Sequence, residues 1–374
     1  MGGIAALAGY CTLAPQFDLP AQQVRPRRRS GPPMMEGADY ENSIKLCFNE
    51  NSFGPPPSVM QAMTQAFKYA GRYAYPDGGL VPALAALHGV SPDNILLGAG
   101  SSEILELAAN TLLGGHKKVL GVEPTFSTVY EYAAGIEADS IRLPLGEEYR
   151  TDIPAVIRAA KENRKDIGFV YLCNPNNPTG LIVTKQEIKQ LLDGLPEGIP
   201  VLIDEAYHHF VEDPQYATST PYVAEGRPVI IARTFSKIAA LAGMRIGYAV
   251  APEPFIEKMG VRSGGMHVNA LAKWGAAASL KDVEGQNQVR SKIIATRKKT
   301  TAELESLGFK SLPSEANFFM VALKRPVIAV IREFARKGIL VGRPFPPMME
   351  HMRVSVGTDD DMARFLAAFK QIVV

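Results

Sequence analysis

The stretch Val229-Ile230-Ile231-Ala232-Arg233-Thr234-Phe235-Ser236-Lys237 is an apolar, β-branched run of strand length that ends in two hydroxyls and a lysine. A continuous apolar run without polar alternation marks a strand buried on both faces, as in a parallel sheet covered by helices. Outward from it, similar runs occur at 95–97, 118–122, 167–172, 201–203 and 245–250. Segments of helical period lie between them: 102–113 sets Leu105, Ala108, Ala109 and Leu112 on one stripe, and 185–192 does so more briefly. This alternation predicts an α/β half built on a mostly parallel central sheet. After a long helical stretch over 269–307 come a strand at 317–323, a helix at 327–337, a strand at 353–356 and a last helix, which predict a smaller α+β unit.

A chain of 374 residues is long for one simple core, so two domains or one large layered domain are expected. The reading adopted is a flexible leader over 1–40, a large domain over 41–275 whose first residues pack on the small domain, and a small C-terminal domain over 276–374. Apolar residues make up 46% and charged ones 21%, ample material for a core and no sign of global disorder. A formal net charge of +2 gives no broad footprint for nucleic acid or an acidic membrane surface. The run Arg25, Arg27, Arg28 and Arg29, among Pro26, Gly31, Pro32 and Pro33, reads as a solvated leader. Cys11, Cys47 and Cys173 form no C-x-x-C pair, which suits a reducing compartment, the cytoplasm. The apolar stretch 4–14 is too short to span a bilayer, and its basic cluster follows it, the wrong order for a secretory leader. The tail of a longer export signal is the alternative reading.

Lys237 stands just past the opening strand, with Thr234 and Ser236 before it and Arg245 beyond. A lysine pressed against a sheet is desolvated, which lowers its pKa and frees the amine to attack a carbonyl, while the hydroxyls and Arg245 suit a phosphate monoester. A surface lysine beside a solvated arginine is the plainer alternative. In Val201-Leu202-Ile203-Asp204-Glu205-Ala206-Tyr207 a strand runs straight into a carboxylate, which is costly to bury without a positive partner. A protonated pyridine nitrogen is such a partner, and the pairing keeps the ring an electron sink, with Tyr207 in reach of the ring's phenolate oxygen. A strand-end Asp capping the next turn is the alternative. The loop Cys173-Asn174-Pro175-Asn176-Asn177-Pro178-Thr179-Gly180 is stiffened by two Asn-Pro steps, so an asparagine amide can be held in fixed orientation; such loops are also simply tight turns.

Leu97-Gly98-Ala99-Gly100-Ser101-Ser102-Glu103 leads a strand through glycines into a helix whose free N–H groups and dipole favour a phosphate. It is also half of a dinucleotide fingerprint, with Glu123 spaced for a ribose contact, which raises a nicotinamide-dependent dehydrogenase. The third glycine is missing, however, and that reading leaves Lys237 and the asparagine loop unexplained. His208 and His209 follow Asp204 and Glu205, but no third separated ligand is evident and no metal is predicted.

Asn49-Glu50-Asn51 with Gly54-Pro55, Tyr75-Pro76-Asp77, Gly98 to Ser101, Pro124-Thr125-Phe126, Asn174 to Gly180, Asp204 to Tyr207, Thr234 to Lys237, Arg245 and Arg353 to Thr358 together resemble, in order and spacing, a fold-type-I (class I and II) aminotransferase. Within that group the chain resembles the histidinol-phosphate aminotransferases, from about Leu46 to the C-terminus. The resemblance implies an aspartate-aminotransferase-like fold with pyridoxal 5'-phosphate as cofactor and a place in amino-acid biosynthesis. An amino donor, histidinol phosphate or an aromatic amino acid, leaves its nitrogen on the cofactor and a 2-oxo acid collects it. Lys237 would hold the cofactor and shuttle the proton, Asp204 would pair with the pyridine nitrogen, Asn177 and Tyr207 would bond the phenolate oxygen, and Phe126 would stack on the ring. Ala99, Gly100, Ser101, Thr234, Ser236 and Arg245 would cradle the phosphate, with Tyr75 crossing from the neighbouring subunit of a homodimer. Arg353 would fork onto the substrate's anionic group, with Arg343 and Asn51 as further substrate contacts.

Three departures from the family pattern bear on substrate choice. Gly342 intervenes before Arg343 where the pattern runs straight from valine to arginine. The link from Tyr75 to Leu80 is short, which predicts a reshaped helix over 80–88. The segment Ser263 to Asn269 brings His267 to where a substrate-facing asparagine is expected. The runner-up on the same scaffold is a lyase or decarboxylase, and a cofactor-binding regulator would need a DNA-reading helical module that the sequence does not offer.

Overall fold

The inner strands of the central sheet are those whose residues are buried on both faces. In the computed structural model, which describes residues 37–263 and 267–374, the strands in chain order are β1 (Ile44–Leu46), β2 (Ile95–Gly98), β3 (Lys118–Glu123), β4 (Ser140–Pro144), β5 (Ile167–Cys173), β6 (Val201–Asp204), β7 (Val229–Thr234), β8 (Gly247–Val250), β9 (Phe318–Ala322), β10 (Ile339–Val341) and β11 (His351–Ser355). Seven of them form one sheet in the order β2-β8-β7-β6-β5-β3-β4. β8 runs antiparallel to both its neighbours and every other adjacent pair is parallel. Successive residues serve opposite cores, as the pleat requires. Val201, Ile203, Val229 and Ile231 enter one cluster with the helices Ile153–Glu162 and Lys185–Gly194, while Leu202, Ile230 and Ala232 enter the other with the helix Ser101–Leu112. The sheet is therefore the middle layer of a three-layer α/β arrangement, as the sequence pattern indicated.

A third core surrounds two smaller ladders, β9 with β11 antiparallel and β1 with β10 parallel. The helix Val327–Arg336 contributes Val327, Val330 and Phe334, and the helix Asp359–Ile372 contributes Met362, Phe365, Leu366 and Phe369. Their meeting is aromatic, with Phe334 stacked on Phe365 at 5.3 Å between centroids. Ile44, Leu46, Tyr207 and Ile238 belong to this same core, so the N-terminal segment and the functional loops share its packing.

Several boundaries differ from expectation for local reasons. β8 begins at Gly247 because Arg245 sits in the left-handed region at φ 55°. The helical stretch expected over 269–307 is two helices, Ala270–Lys281 and Val283–Ser306, parted at Asp282, whose carboxylate caps the second by accepting from Gly285 N. The short link after Tyr75 still yields a helix, Leu80–His88, because Asp77 accepts from Gly79 N and Val81 N and caps it. The helix Gly37–Asn42 takes in the last residues read as a leader, while the apolar stretch 4–14 and the arginine run lie outside the described residues. Among the described residues, no helix is long and apolar enough to cross a membrane.

Candidate active site

All the parallel strands point their carboxyl ends to one edge of the sheet, and the sequence-predicted loops gather there, where α/β sheets bind ligands. β6 delivers Asp204, β7 leads into Thr234 to Lys237, β5 opens the asparagine loop, and β2 ends at the glycine turn. Lys237 is half-buried and its Nζ donates to the carbonyl of Phe48 at 3.1 Å. Burial, followed by the charge of Arg353, brings its amine down to about 8.

Asp204 is 2% exposed. Among the described residues, its side chain accepts a hydrogen bond only from Ala206 N, at 3.1 Å. Burial raises its carboxyl to about 7, against the opposing pull of that N–H and of Lys237. A carboxylate so placed is a group waiting for a cation. Tyr207, buried beside it, has its hydroxyl oxygen 3.0 Å from Asn49 Nδ2 and 3.4 Å from Asn177 Nδ2. Its ring lies edge-on to Phe318 and under Lys237 Nζ, 5.6 Å from the ring centre.

Arg353 on β11 is 6% exposed, donating from Nη1 to Asn177 Oδ1 at 2.6 Å and from Nη2 to Cys47 O at 2.5 Å. Its guanidinium lies 4.8 Å from the Phe345 ring centre, and among the described residues its Nε has no hydrogen-bond partner. Burial lowers it to about 10, the proximity of Arg343 adding to the effect. Gly342, whose place before Arg343 departs from the family pattern, backs this arginine. A Cβ there would lie 3.0 Å from Arg353 Cβ and 3.2 Å from its Nε. Arg343 itself is half-buried with its guanidinium 4.4 Å from the same Phe345 ring.

At the glycine turn, Gly100 has φ 81° and the helix Ser101–Leu112 begins at once, leaving the first N–H groups without intrahelical partners. Arg245 reaches this turn, donating to Ala99 O at 3.3 Å and Ala242 O at 3.0 Å. Glu103 accepts from Ala99 N and bonds the His267 ring, so His267 sits at the foot of this helix; Gly264, Gly265 and Met266 lie outside the described residues. Thr234 Oγ1 accepts from Ser236 N, and both residues are buried. Phe126 is half-buried on the loop after β3, which Thr125 ties to the asparagine loop by donating to Asn176 Oδ1 at 2.7 Å.

Two expected contacts stand elsewhere in one chain. Tyr75 donates to Val268 O at 2.6 Å and stacks on Tyr69, and Asn51 holds the backbone of Ile238 and Phe53 with the two ends of its amide. Glu123 is exposed and paired with Arg142 at 3.3 Å. His208 is bonded to Arg233, and among the described residues no group of three or more His, Cys, Asp or Glu is placed to hold a metal ion.

A lysine amine within Coulombic reach of a buried carboxylate, beside a buried arginine and on the same sheet edge as a phosphate-ready turn, coincides with a match to a family profile. The profile described as Aminotransferase class I and II covers residues 41–369. The chain belongs to this family.

Among its relatives, the histidinol-phosphate aminotransferase of Moorella thermoacetica is 37% identical over 88% of this chain and 85% of that protein. Histidinol-phosphate aminotransferase 2 of Carboxydothermus hydrogenoformans is 34% identical over 89% and 91%. The histidinol-phosphate aminotransferase of Sinorhizobium meliloti, solved in complex with pyridoxal-5'-phosphate, superimposes with a TM-score of 0.81 at 27% identity, over 88% of this chain and 90% of that one. Membership of the aminotransferases removes the dehydrogenase reading of the glycine turn. Ser355 and Asn317 carry no signal of their own in the sequence, where Asn49 is one residue of the Asn49-Glu50-Asn51 landmark. Asn317 Nδ2 donates to Asn49 O at 3.0 Å, and Ser355 contacts Asn49 across 306 positions of chain, a separation no local pattern carries.

Proposed function

We propose that this aminotransferase binds pyridoxal 5'-phosphate at the carboxyl edge of the sheet and transfers an amino group from histidinol phosphate or an aromatic amino acid to a 2-oxo acid. The observation that carries this reading is Asp204, a buried carboxylate that among the described residues accepts a single side-chain hydrogen bond, within Coulombic reach of a lysine whose amine is drawn down to about 8. A pyridinium nitrogen fits the first and an aldehyde the second. The glycine turn fits the phosphate, because a Cβ on Gly247 would lie 2.5 Å from Ser101 N and only a bare backbone leaves that helix end open. When bound, the cofactor supplies an electron sink for the bonds at the substrate's Cα.

In this reading Lys237 holds the cofactor and then moves the proton at the substrate's Cα. Asn177 and Tyr207 address the phenolate oxygen, Phe126 covers the ring, and Ala99, Gly100, Ser101, Thr234, Ser236 and Arg245 take the phosphate. Arg353, with Arg343 beside it, orients the substrate's anionic group. Asn51 acts through the backbone it holds beside Lys237.

We further propose a homodimer in which Tyr75 reaches the partner's cofactor phosphate. Support comes from the exposed aromatic surface around it, with Tyr73 87% and Phe67 62% exposed next to Tyr69 and Trp274. We assign residues 41–275 and 276–374 to a large and a small domain, since the sheet core draws mostly on the first span and the core around β9 and β11 mostly on the second, with Ile44, Leu46, Tyr207 and Ile238 crossing one way and Ala276 and Ala277 the other. We place the enzyme in a reducing compartment, the cytoplasm, where the buried free thiols Cys47 and Cys173 persist.

The test is the visible absorbance of purified protein on adding pyridoxal phosphate, then histidinol phosphate, phenylalanine, tyrosine and glutamate singly. A cofactor band that one donor bleaches and a 2-oxo acid restores names the donor; no band with pyridoxal phosphate defeats the assignment.

A further inference from the structure

The directions of the hydrogen bonds around Tyr207 decide what its hydroxyl can do. Arg353 has donors only, so the Asn177 atom 2.6 Å from its Nη1 is Oδ1, and the Asn177 amide nitrogen faces the Tyr207 oxygen. On the other side, Ser355 Oγ accepts the backbone N–H of Asn49 at 2.8 Å. Ser355 is 1% exposed, and its own hydrogen finds an acceptor in Asn49 Oδ1 at 3.0 Å. Turning the Asn49 amide over would leave that buried hydroxyl hydrogen without an acceptor. Asn49 therefore presents Nδ2 to the Tyr207 oxygen, 3.0 Å away.

The residue is held firmly enough to enforce this. It is 1% exposed with φ 54°, a left-handed conformation that asparagine tolerates better than most residues, and Asn317 fixes its carbonyl. With two N–H groups aimed at the phenol oxygen, both approach directions on that side are taken by donors, and the phenol's hydrogen must point away from the two amides.

We propose that Asn49, oriented by Ser355, is a positioning residue that compels the Tyr207 hydroxyl to donate into the pocket, onto the phenolate oxygen of bound pyridoxal phosphate. This rests on the reading of the pocket as a pyridoxal phosphate site. A donor on the phenolate oxygen stabilises its deprotonated form, so removing it raises the pH at which the bound chromophore gives up its proton. In Asn49→Asp, one carboxylate oxygen still accepts from Ser355 while the other accepts from Tyr207 and draws the hydroxyl hydrogen away from the cofactor.

The experiment is a pH titration of the cofactor's visible band in loaded protein, with the cofactor dissociation constant measured by equilibrium dialysis. Asn49→Asp is expected to raise the midpoint by roughly one pH unit, the scale of one hydrogen bond to a charged group, and to weaken cofactor retention several-fold. Ser355→Ala, which introduces no charge, is expected to move it the same way by less. In a Tyr207→Phe background, Asn49→Asp is expected to add nothing. An unchanged midpoint in Asn49→Asp overturns the proposal, as does a shift that persists undiminished in Tyr207→Phe, which would be a direct effect of the new charge. If Asn49→Asp does not fold, Ser355→Ala decides alone: a raised midpoint supports the proposal and an unchanged one overturns it. Absence of any band in the unaltered protein overturns the cofactor reading itself, and this proposal with it.

Discussion

Lys237 Nζ donates to the carbonyl oxygen of Phe48, and the neighbouring carbonyl, that of Cys47, accepts from Arg353. One short stretch of N-terminal chain thus holds both the lysine and the arginine of the site. Phe48 O is a neutral acceptor and does not compensate the ammonium fully, so burial and the Arg353 charge prevail and bring the amine to about 8. Capture of pyridoxal phosphate by cofactor-free protein should therefore accelerate as pH rises through about 8 and level off above it, because only the neutral amine attacks. Replacing Arg353 with Met removes a repelling charge and should move that midpoint upward. Stopped-flow absorbance across pH measures both, and Lys237→Ala should show no capture at any pH.

Asp204 makes an opposite claim on stability. Its folded pKa of about 7 lies above its ordinary value, so in the cofactor-free protein the folded state holds the proton more tightly than the unfolded chain. Stability from this group is present at low pH and is lost as pH rises toward and through about 7. Asn in its place cannot ionise. Cofactor-free Asp204→Asn should therefore melt a few degrees higher than the unaltered protein at pH 8, with the gap closing toward pH 4. With pyridoxal phosphate present the order should reverse, since Asn gives the pyridine nitrogen no charge to pair with; differential scanning fluorimetry in four conditions checks it.

Much of this site was legible in sequence because its residues follow buried strands. Asp204 and Lys237 each stand just beyond an uninterrupted apolar run, where a polar group must have a purpose or a partner. The short or half-exposed strands β1, β4 and β10 gave no such signal, since three to five residues at a sheet edge carry neither a run nor a clear alternation. The strand pattern over 245–250 takes Arg245 into β8, because its left-handed backbone leaves no trace in its residue type. Asn49, Asn317 and Ser355 act through pairings hundreds of positions apart, which single-sequence periodicity does not encode.

Gly342 shows how a small departure from a family pattern carries geometry. Its N–H donates to Arg353 O at 2.8 Å, and an added methyl would press on Arg353 Cβ and Nε. That backbone hydrogen bond holds the two segments at this spacing, so the arginine side chain must yield, and with it the bond to Asn177. Gly342→Ala should raise KM for the 2-oxo acid about tenfold with a smaller loss of kcat, the signature of a displaced binding group. Steady-state kinetics at fixed donor measure the split, and an unchanged KM would mean that Arg353 has slack at this position.

Glu205 and Arg233 form a second pairing of strand ends, directly behind Asp204 and Thr234. Glu205 is fully buried and Arg233 nearly so, joined at 2.6 and 3.0 Å, with Thr218 and Ser219 N also donating to the carboxylate. A buried pair contributes little over neutral groups of the same shape, but removing one partner strands the other charge. Arg233→Met should therefore lower unfolding stability by about 3–5 kcal/mol in urea titrations. Adding Glu205→Gln should recover more than half of that loss, since the amide oxygen can still accept from Ser219 N and no charge remains. A double variant as unstable as Arg233→Met alone would assign the damage to lost packing of the arginine stem instead of to the unpaired carboxylate.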